Sequence, residues 1–463
     1  MTSPTSPTRT AEEIGRTPQG PRPLPPLGEQ RGAADLSHVD TKIGNGLRVL
    51  AVRKANVPLV EFRLSIPFAG PDTLHPATAE ILAETILTGT ARRDRVAIDT
   101  ELALIGGELG VSVDPERLSV SGSSLASGLP TLLDVLADVL TSASYLDSEV
   151  TREAERLVER LAVARTQPRV IAREALQQRR YGDHPYTREV PRAEDVALVV
   201  PEQVRVLHRE AVLPRGSDLV IVGDIDPDGV VADLGRVLAD WSADASASVL
   251  PALPALTGGD VLLVPRAGGV QSQIRLSAQS LPRTDPRYAA LQLANMTFGG
   301  YFSSRLVENI REDKGYTYGA HSGFEFTGNT ATVQVEADTA SEVTAAALLE
   351  TRYELGRLGL VPPTDEDVES VRQYAIGSLL IATSSQGGLA SQLSALVSVG
   401  LGMDWLLEHP RHLAEVTTEQ VAEVALEFFA PKNFTGVVVG DAELLGRRLT
   451  ALGGVTVSGD SVS

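Results

Sequence analysis

The sequence contains no cysteine, which excludes disulfide bonds, thiolate nucleophiles and zinc sites built from cysteine. Only four of the 463 residues are lysine, whereas 37 are arginine. This bias resembles genome base composition, so no single arginine is a functional marker by itself. The formal net charge of −19 argues against nonspecific binding to nucleic acid or to an anionic membrane. No run of about 18 apolar residues occurs, so we expect no membrane span.

The first 34 residues are rich in proline, threonine and serine and contain no apolar segment typical of a secretory signal. We therefore predict a disordered, Pro-rich tail over residues 1–34. The alternative for its run PRPLPP is a polyproline ligand. Together these features predict a cytoplasmic protein without a membrane or nucleic-acid partner.

One segment of the chain is repeated. The copy PEQVRVLHREAVLPRGSDLVIVGDIDPD starts at Pro201, and TEQVAEVALEFFAPKNFTGVVVGDAELL starts at Thr418; the two align without a gap. Each copy reads as a helix behind a polar cap, then a buried strand that ends in Gly-Asp. Because 463 residues also exceed one ordinary hydrophobic core, the sequence predicts a duplicated domain.

Strand signals occur in clusters, with long amphipathic stretches between them. This pattern favours α+β domains, each a mostly antiparallel sheet with helices on one face, over a doubly wound sheet. We predict an N-terminal domain over residues 35–245, a Pro/Gly linker over residues 246–260 and a C-terminal domain over residues 261–457.

The chain carries no complete catalytic constellation. None of its seven histidines belongs to an H-x-x-E-H or H-E-x-x-H helix, and neither a G-x-S-x-G elbow nor a P-loop occurs. His409 and His412 flank Pro410 without a carboxylate at zinc-motif spacing, and we interpret them as part of a surface turn.

The stretch RLSIPFAGPDT, followed by AEILAETILTGTARRD, resembles the N-terminal signature of the insulinase/pitrilysin metallopeptidases, the inverzincins. In that family a helix carries H-x-x-E-H, and a Gly-Thr pair follows it. Counting back from the Gly-Thr pair places the three motif positions on Glu80, Ala83 and Glu84. The resemblance therefore implies a degenerate zinc motif, in which glutamate replaces both histidines and alanine replaces the catalytic glutamate.

These replacements remove what zinc chemistry needs, namely neutral imidazoles and a base where Ala83 stands. The family's third ligand is a glutamate on a later helix, and counting from the proline behind that helix places it near Glu159 or Arg160. Glu80 and Glu84 leave two alternatives: a hard cation such as Ca²⁺ or Mg²⁺, or two carboxylates without a metal. We expect no bound metal or other cofactor, and no peptidase activity of the chain alone.

The most specific match is NMTFGGYFSSRLVENIREDKGYTYGAHSG. In the resembling family an arginine and a tyrosine, seven residues apart, reach across to the zinc site and hold the substrate near the scissile bond. Arg311 and Tyr318 have this spacing, and a turn at Gly315 would let both side chains project on one side. A guanidinium and a phenol hydroxyl are strong donors for an oxyanion. The alternative is a surface helix end with a tyrosine that only packs.

The resemblance thus implies a non-catalytic, substrate-binding subunit of a heterodimeric zinc endopeptidase. This chain would form half of a clam-shell chamber, bind a peptide, and supply Arg311 and Tyr318 to a homologous partner that carries H-x-x-E-H and the zinc. The alternative is a non-proteolytic structural or peptide-binding scaffold of the same fold. The intact Arg/Tyr pair favours the subunit, since a scaffold needs no oxyanion donors.

Overall fold

Two six-stranded sheets of mixed direction organise the chain. The computed structural model describes residues 36–243, 245–328 and 330–458, so the tail predicted over residues 1–34, with its PRPLPP run, lies outside the described residues. The first sheet contains β1 (His38–Lys42), β2 (Arg48–Arg53), β3 (Leu59–Pro67), β4 (Glu108–Val113), β5 (Arg117–Leu125) and β6 (Asp218–Gly223). The second sheet contains β7 (Val261–Pro265), β8 (Gln271–Gln279), β9 (Thr317–Thr327), β10 (Thr330–Ala340), β11 (Thr435–Gly440) and β12 (Val455–Val457).

Helices connect the strands within each half. The helices of the first half are α1 (His75–Thr85), α2 (Arg95–Leu104), α3 (Leu129–Ser142), α4 (Asp147–Ala164), α5 (Pro168–Tyr181), α6 (Ala193–Val196), α7 (Pro201–Ala211) and α8 (Pro227–Val237). Those of the second half are α9 (Tyr288–Asn295), α10 (Arg305–Val307), α11 (Thr344–Leu360), α12 (Asp365–Ala382), α13 (Gln386–Val397), α14 (Met403–Glu415), α15 (Thr418–Phe428) and α16 (Ala442–Thr450). Two π-helical turns, Met296–Gly300 and Glu308–Asp313, follow α9 and α10.

The strand orders are β1-β2-β6-β3-β5-β4 in the first sheet and β12-β7-β11-β8-β10-β9 in the second, and the last five strands of each correspond. The outer strands differ, since β1 runs antiparallel to β2 and β12 runs parallel to β7. β6 runs parallel to β2 and antiparallel to β3, and β11 has the same relation to β7 and β8. The repeated strands DLVIVG and TGVVVG therefore occupy equivalent positions. The predicted α+β fold of two similar, mostly antiparallel domains is confirmed, whereas the domain boundaries stay a prediction.

The repeated helices α7 and α15 begin in different ways. Before α15, the Thr417 hydroxyl accepts from the Gln420 amide, and the Gln420 side chain accepts from the Thr417 amide. At the start of α7 the capping position is Val200, which has no side-chain acceptor, although Gln203 Oε1 accepts from its amide at 2.9 Å. Pro201 at the first helical position needs no donor partner. The predicted polar cap is therefore correct for the second copy and wrong for the first.

The central strands are buried on both faces. Along β2, Val49 and Ala51 pack into the core beneath the helices of the first half, whereas Leu50 and Val52 point the other way and are also buried. Burial on both faces explains the unbroken apolar runs of the repeated strands. The sequence predicted helices on one face only, and for these strands that was wrong.

The second face of each sheet is covered by a helix from the opposite half. Helix α13 lies against β3 and β6 of the first sheet. Its Leu389, Leu393 and Val397 form one apolar cluster with side chains of β2 and β6 and with Met403 and Leu406 of α14. Helix α5 lays Ile171 and its apolar neighbours against β7 and β11 of the second sheet. Each half therefore completes the core of the other.

The segment over residues 246–260, predicted as a linker, contains neither helix nor strand. It is held in place, since Leu256 is buried and its amide donates to Gln279 Oε1 at 3.2 Å. Within the described ranges, no helix combines the length and apolar character needed to cross a bilayer.

The H-x-x-H pair lies inside α14, so its interpretation as a surface turn was wrong. His409 is buried, stacks on Trp405 with ring centroids 4.2 Å apart, and contacts Gln292 Oε1 through Nε2 at 2.7 Å. Burial lowers the pKa of His409 to about 4, which keeps the imidazole neutral. His409 is a packing residue of the second half.

Candidate functional site

The three degenerate motif positions lie on α1. Ala83 is buried against the core, Glu80 is half-buried and Glu84 is exposed. A helix places residues four apart on one face, so the two carboxylates are neighbours. Burial, followed by repulsion from Glu84, raises the pKa of Glu80 to about 6. The two glutamates therefore form a strained acidic pair.

A guanidinium stands beside this pair. Arg160 on α4 donates from Nη2 to Glu84 Oε1 at 2.9 Å, and its positive charge opposes the rise in the pKa of Glu80. The sequence left Glu159 and Arg160 open as the position of the family's third ligand, and the structure places Arg160 next to the motif. The Arg160 guanidinium therefore partly neutralises the acidic pair.

The residues present do not fit a zinc ion. Neither motif position offers an imidazole, and two carboxylates fall short of the six to eight oxygens that Ca²⁺ takes. In the part of the chain that the structure describes, no three histidine, aspartate or glutamate residues are grouped so that they could hold a metal ion. The chemistry of this site is therefore that of an Arg–Glu ion pair.

Arg311 and Tyr318 flank a tight turn in the second half. Arg311 belongs to the π-helical turn Glu308–Asp313, and Tyr318 is the second residue of β9, the outer strand of its sheet. Between them Gly315 has a φ of 63°, the left-handed region that favours glycine. The predicted glycine turn is present.

The Arg311 guanidinium lies over the exposed ring of Phe302, with its central carbon 4.5 Å from the ring centroid. Its Nη1 is also 3.4 Å from Glu312 Oε1. A cation over an aromatic face is held in orientation without losing its N–H donors. Arg311 is thus positioned and still available to a ligand.

Tyr318 is 97% exposed, and its hydroxyl has no hydrogen-bond partner in residues 36–243, 245–328 and 330–458. Tyr316, two residues earlier, is half-buried and packs against the second core. The alternative that Tyr318 only packs is therefore wrong, and packing is the role of Tyr316 instead. Tyr318 and Arg311, seven residues apart in the sequence and each still able to donate to a ligand, are called the donor pair below.

No hydrogen bond, ion pair or ring contact among the described residues joins the donor pair to Glu80, Ala83 or Glu84. The motif positions belong to the first half, and the donor pair belongs to the second. The roles assigned to these residues from the sequence stay predictions.

Sequence reasoning missed a polar cleft of about 910 Å³ between the halves. Arg180 on α5 lies in its wall, with a side chain only 1% exposed, and pairs with Glu325 on β9. Arg275 on β8 pairs with Asp338 on β10 at 2.8 Å. The sequence did contain a signal for this cleft. The alternating polar residues of β10 predict a polar face on a strand that is otherwise buried.

Two sequence models of one family match most of the region described above. Residues 75–194 match insulinase (peptidase family M16), and residues 199–374 match the peptidase M16 inactive domain. The chain belongs to the insulinase family. The insulinase match begins on α1 with the degenerate motif, and the inactive-domain match contains Arg311 and Tyr318.

Relatives of this family share nearly the whole length. An uncharacterized zinc protease of Streptomyces coelicolor is 23% identical over 411 residues, which cover 86% of this chain and 88% of that protein. The solved structure of a peptidase M16 inactive domain from Pseudomonas fluorescens has a TM-score of 0.79 at 22% identity and covers 88% of this chain and 98% of that one. A protease from Helicobacter pylori has a TM-score of 0.79 at 16% identity, covering 88% and 99%. These structures share the fold of this insulinase-family chain.

Proposed function

We propose that this insulinase-family chain is the non-catalytic, substrate-binding subunit of a heterodimeric zinc endopeptidase. Its partner would be a homologue that carries H-x-x-E-H and the zinc. The observation that carries the proposal is the donor pair: Tyr318 is 97% exposed without a partner for its hydroxyl in the described part of the chain, and the Arg311 guanidinium is oriented by the ring of Phe302. An exposed pair of strong donors is suited to a ligand that lies outside this chain.

The residues of the first half also support the proposal. Its motif positions hold an acidic pair and the Arg160 guanidinium, so its own residues offer no base and no zinc ligands of the usual kind. Several zinc proteases are relatives of this chain, and the partner would be a protein of that kind. The pair would act in the cytoplasm, and a chain without cysteine needs no oxidising compartment.

In the proposed reaction a zinc ion held by the partner would supply a Lewis acid and an activated water when bound. The Tyr318 hydroxyl donates a hydrogen bond to the oxygen of the scissile carbonyl as negative charge develops on it. The Arg311 guanidinium donates to the same oxygen or to a neighbouring peptide carbonyl, which also holds the substrate before reaction. Phe302 keeps the guanidinium plane oriented, so little reorganisation is needed.

Cleavage of one fluorogenic peptide by the reconstituted pair tests the proposal. Tyr318→Phe should lower kcat by about 10²–10³-fold with zinc content and assembly unchanged, as expected for the loss of one oxyanion donor. Arg311→Ala should do the same and raise KM, since the guanidinium also binds the ground state. Tyr316→Phe is the matched control and should stay within about twofold of wild type, because Tyr316 packs.

If the two-chain complex that contains Tyr318→Phe is as active as wild type, with zinc and assembly intact, the substrate-holding role is overturned. The chain would then be a structural or peptide-binding scaffold of the same fold.

A further inference from the structure

The turn that carries Arg311 is tied to α11 on both sides of that residue. Before Arg311, Asn309 Nδ2 donates to Glu350 Oε2 at 3.1 Å and to Glu354 Oε1 at 2.7 Å. After it, the Lys314 ammonium lies 3.5 Å from Glu350 Oε1. The two oxygens of the Glu350 carboxylate therefore bind the two ends of the turn.

The contacts of Asn309 and Lys314 with Glu350 and Glu354 are called the tether below. They are partly buried, which makes them costly to break. The Glu354 side chain is only 1% exposed, and Arg357 donates to it at 3.2 Å from the next turn of α11. Asn309 Oδ1 is buried and has no partner among the described residues, so the amide is placed for its donor side alone. The amide nitrogen of Asn309 is thereby committed to the two carboxylates of α11.

Backbone hydrogen bonds connect the residues bound to Glu350 with the segment that leads to Tyr318. The amides of Lys314, Gly315 and Tyr316 donate to the carbonyls of residues 309, 311 and 310 at 3.1, 3.1 and 2.8 Å. Tyr318 follows two residues later, and its own side chain has no contact that would fix it in the described ranges. Its backbone position is therefore set jointly by the turn that Glu350 holds and by β10, where Thr317 Oγ1 donates to the Asp338 carbonyl at 2.7 Å.

The first half contains a similar device. The helix after β5, α3, carries Asp134 and Asp138 four residues apart, as α11 after β10 carries Glu350 and Glu354. Asp138, with a side chain 1% exposed, binds Arg92 and Arg93 in the turn before α2 at 3.1 and 2.8 Å. An acidic pair that holds a turn onto the helix behind it thus occurs in both halves.

We propose that Glu350, supported by Glu354, is a positioning residue: it holds the π-helical turn so that Arg311 and Tyr318 keep the geometry needed to stabilise charge on the substrate. This inference rests on the proposed function. Glu350 touches neither substrate nor reacting atoms, and it acts through the donor pair. Misplacement of a catalytic group by about 1 Å can cost up to about 10²-fold in rate.

The first experiment measures hydrogen exchange of the full chain without its partner. Glu350→Ala should speed exchange of the Lys314, Gly315 and Tyr316 amides by about 10-fold or more, because local opening of the turn becomes easier. Glu366→Ala is the matched control. It removes the same charge from α12, where Glu366 is exposed and has no ion pair in the described residues. Unchanged exchange in Glu350→Ala would overturn the tether whatever the enzyme does.

The second experiment measures peptide cleavage by the chain with its zinc-bearing partner. Glu350→Ala should lower kcat by about 10-fold at nearly constant KM, and Glu350→Gln, which can still accept from Asn309, should lower it less. In an Arg311→Ala/Tyr318→Phe background the same Glu350→Ala change should cost at most about twofold, since both groups through which Glu350 acts are then absent. Equal losses in both backgrounds would show a merely structural effect and overturn the positioning role.

The two proposals fail in different ways. A wild-type pair that cleaves no peptide would overturn the proposed function, and with it a catalytic purpose for Glu350, although the exchange result would still establish the tether. An active pair whose kcat is insensitive to Glu350→Ala would overturn this inference alone.

Discussion

At the scale of single residues, ionisation of the Glu80 carboxyl is unfavourable in the folded protein, and the pH dependence of stability should reveal this. Its pKa is raised from 4.5 to about 6, chiefly by burial. The folded state therefore favours the protonated carboxyl, so this contribution to stability is present below about pH 4.5 and is lost as pH rises through 6. Glu80→Gln, which stays neutral, should raise the free energy of unfolding at pH 7.5 by about 1–2 kcal/mol. It should change little at pH 4.

Urea unfolding of both proteins at the two pH values measures this difference. Glu159→Gln is the control, because Glu159 is exposed and has no ion pair within the described ranges; its effect should stay within about 0.5 kcal/mol. A gain from Glu80→Gln that is equal at both pH values would rule out the titration argument.

The neighbouring Arg160 leads to a second expectation at this scale. With a guanidinium 2.9 Å from Glu84 and no imidazole at the motif positions, the purified chain should hold far less than one zinc per molecule, even after growth with added zinc. Elemental analysis of the desalted protein, with the zinc-bearing partner as positive control, provides the measurement. One tightly held zinc per chain would contradict the expectation.

Counting back from the Gly-Thr pair assigns the motif positions to α1, and that assignment stays a prediction. The sequence alone could not show whether Glu159 or Arg160 lies next to these positions, because adjacent helical residues point about 100° apart and the packing of α4 on α1 decides which one faces them. The seven-residue spacing between Arg311 and Tyr318 could also be recognised in the sequence. That Tyr318 is solvent-exposed while Tyr316 packs depends on where β9 begins, and the sequence does not fix that position.

At the scale of elements, the turn between the π-helical segment and β9 requires Gly315. Its φ of 63° is unfavourable for a residue with a Cβ atom, by roughly 1–2 kcal/mol. Gly315→Ala should therefore lower the free energy of unfolding by about 1 kcal/mol. It should also disturb the donor pair and lower kcat of the reconstituted enzyme.

Gly319→Ala is the matched control for this turn. A Cβ atom there meets nothing within 4 Å, and its φ lies outside the left-handed region. Chemical denaturation of the two variants compares them directly. Equal stabilities would show that the turn relaxes without cost.

Elements also mark where prediction from the sequence ends. Unbroken apolar runs such as DLVIVG indicate burial on both faces of a strand, but they do not say what covers the second face. Here α13 and α5 cover it from the opposite halves, across long sequence separations. Contacts between a sheet and a distant helix depend on tertiary packing. The local periodicity of the strand does not indicate which helix will cover it.

At the scale of the whole molecule, the exchanged helices should make the halves dependent on each other. The isolated fragment of residues 35–245 lacks α13 and would expose Leu50, Val52, Val220 and Val222 to water. It should bind the dye anilinonaphthalene sulfonate and aggregate, and an equimolar fragment of residues 246–463 should suppress both effects. Size-exclusion chromatography and dye fluorescence measure this rescue. A stable monomeric fragment without dye binding would contradict it.

The same two helices restrict how the chain can move. A hinge between the halves would have to separate α13 from β3 and β6 and α5 from β7 and β11, and each step would expose a packed apolar surface to water. The two halves should therefore move as one body. In the proposed heterodimer, a peptide would then have to enter and leave between the two chains, and the interface between them would set the rate of opening.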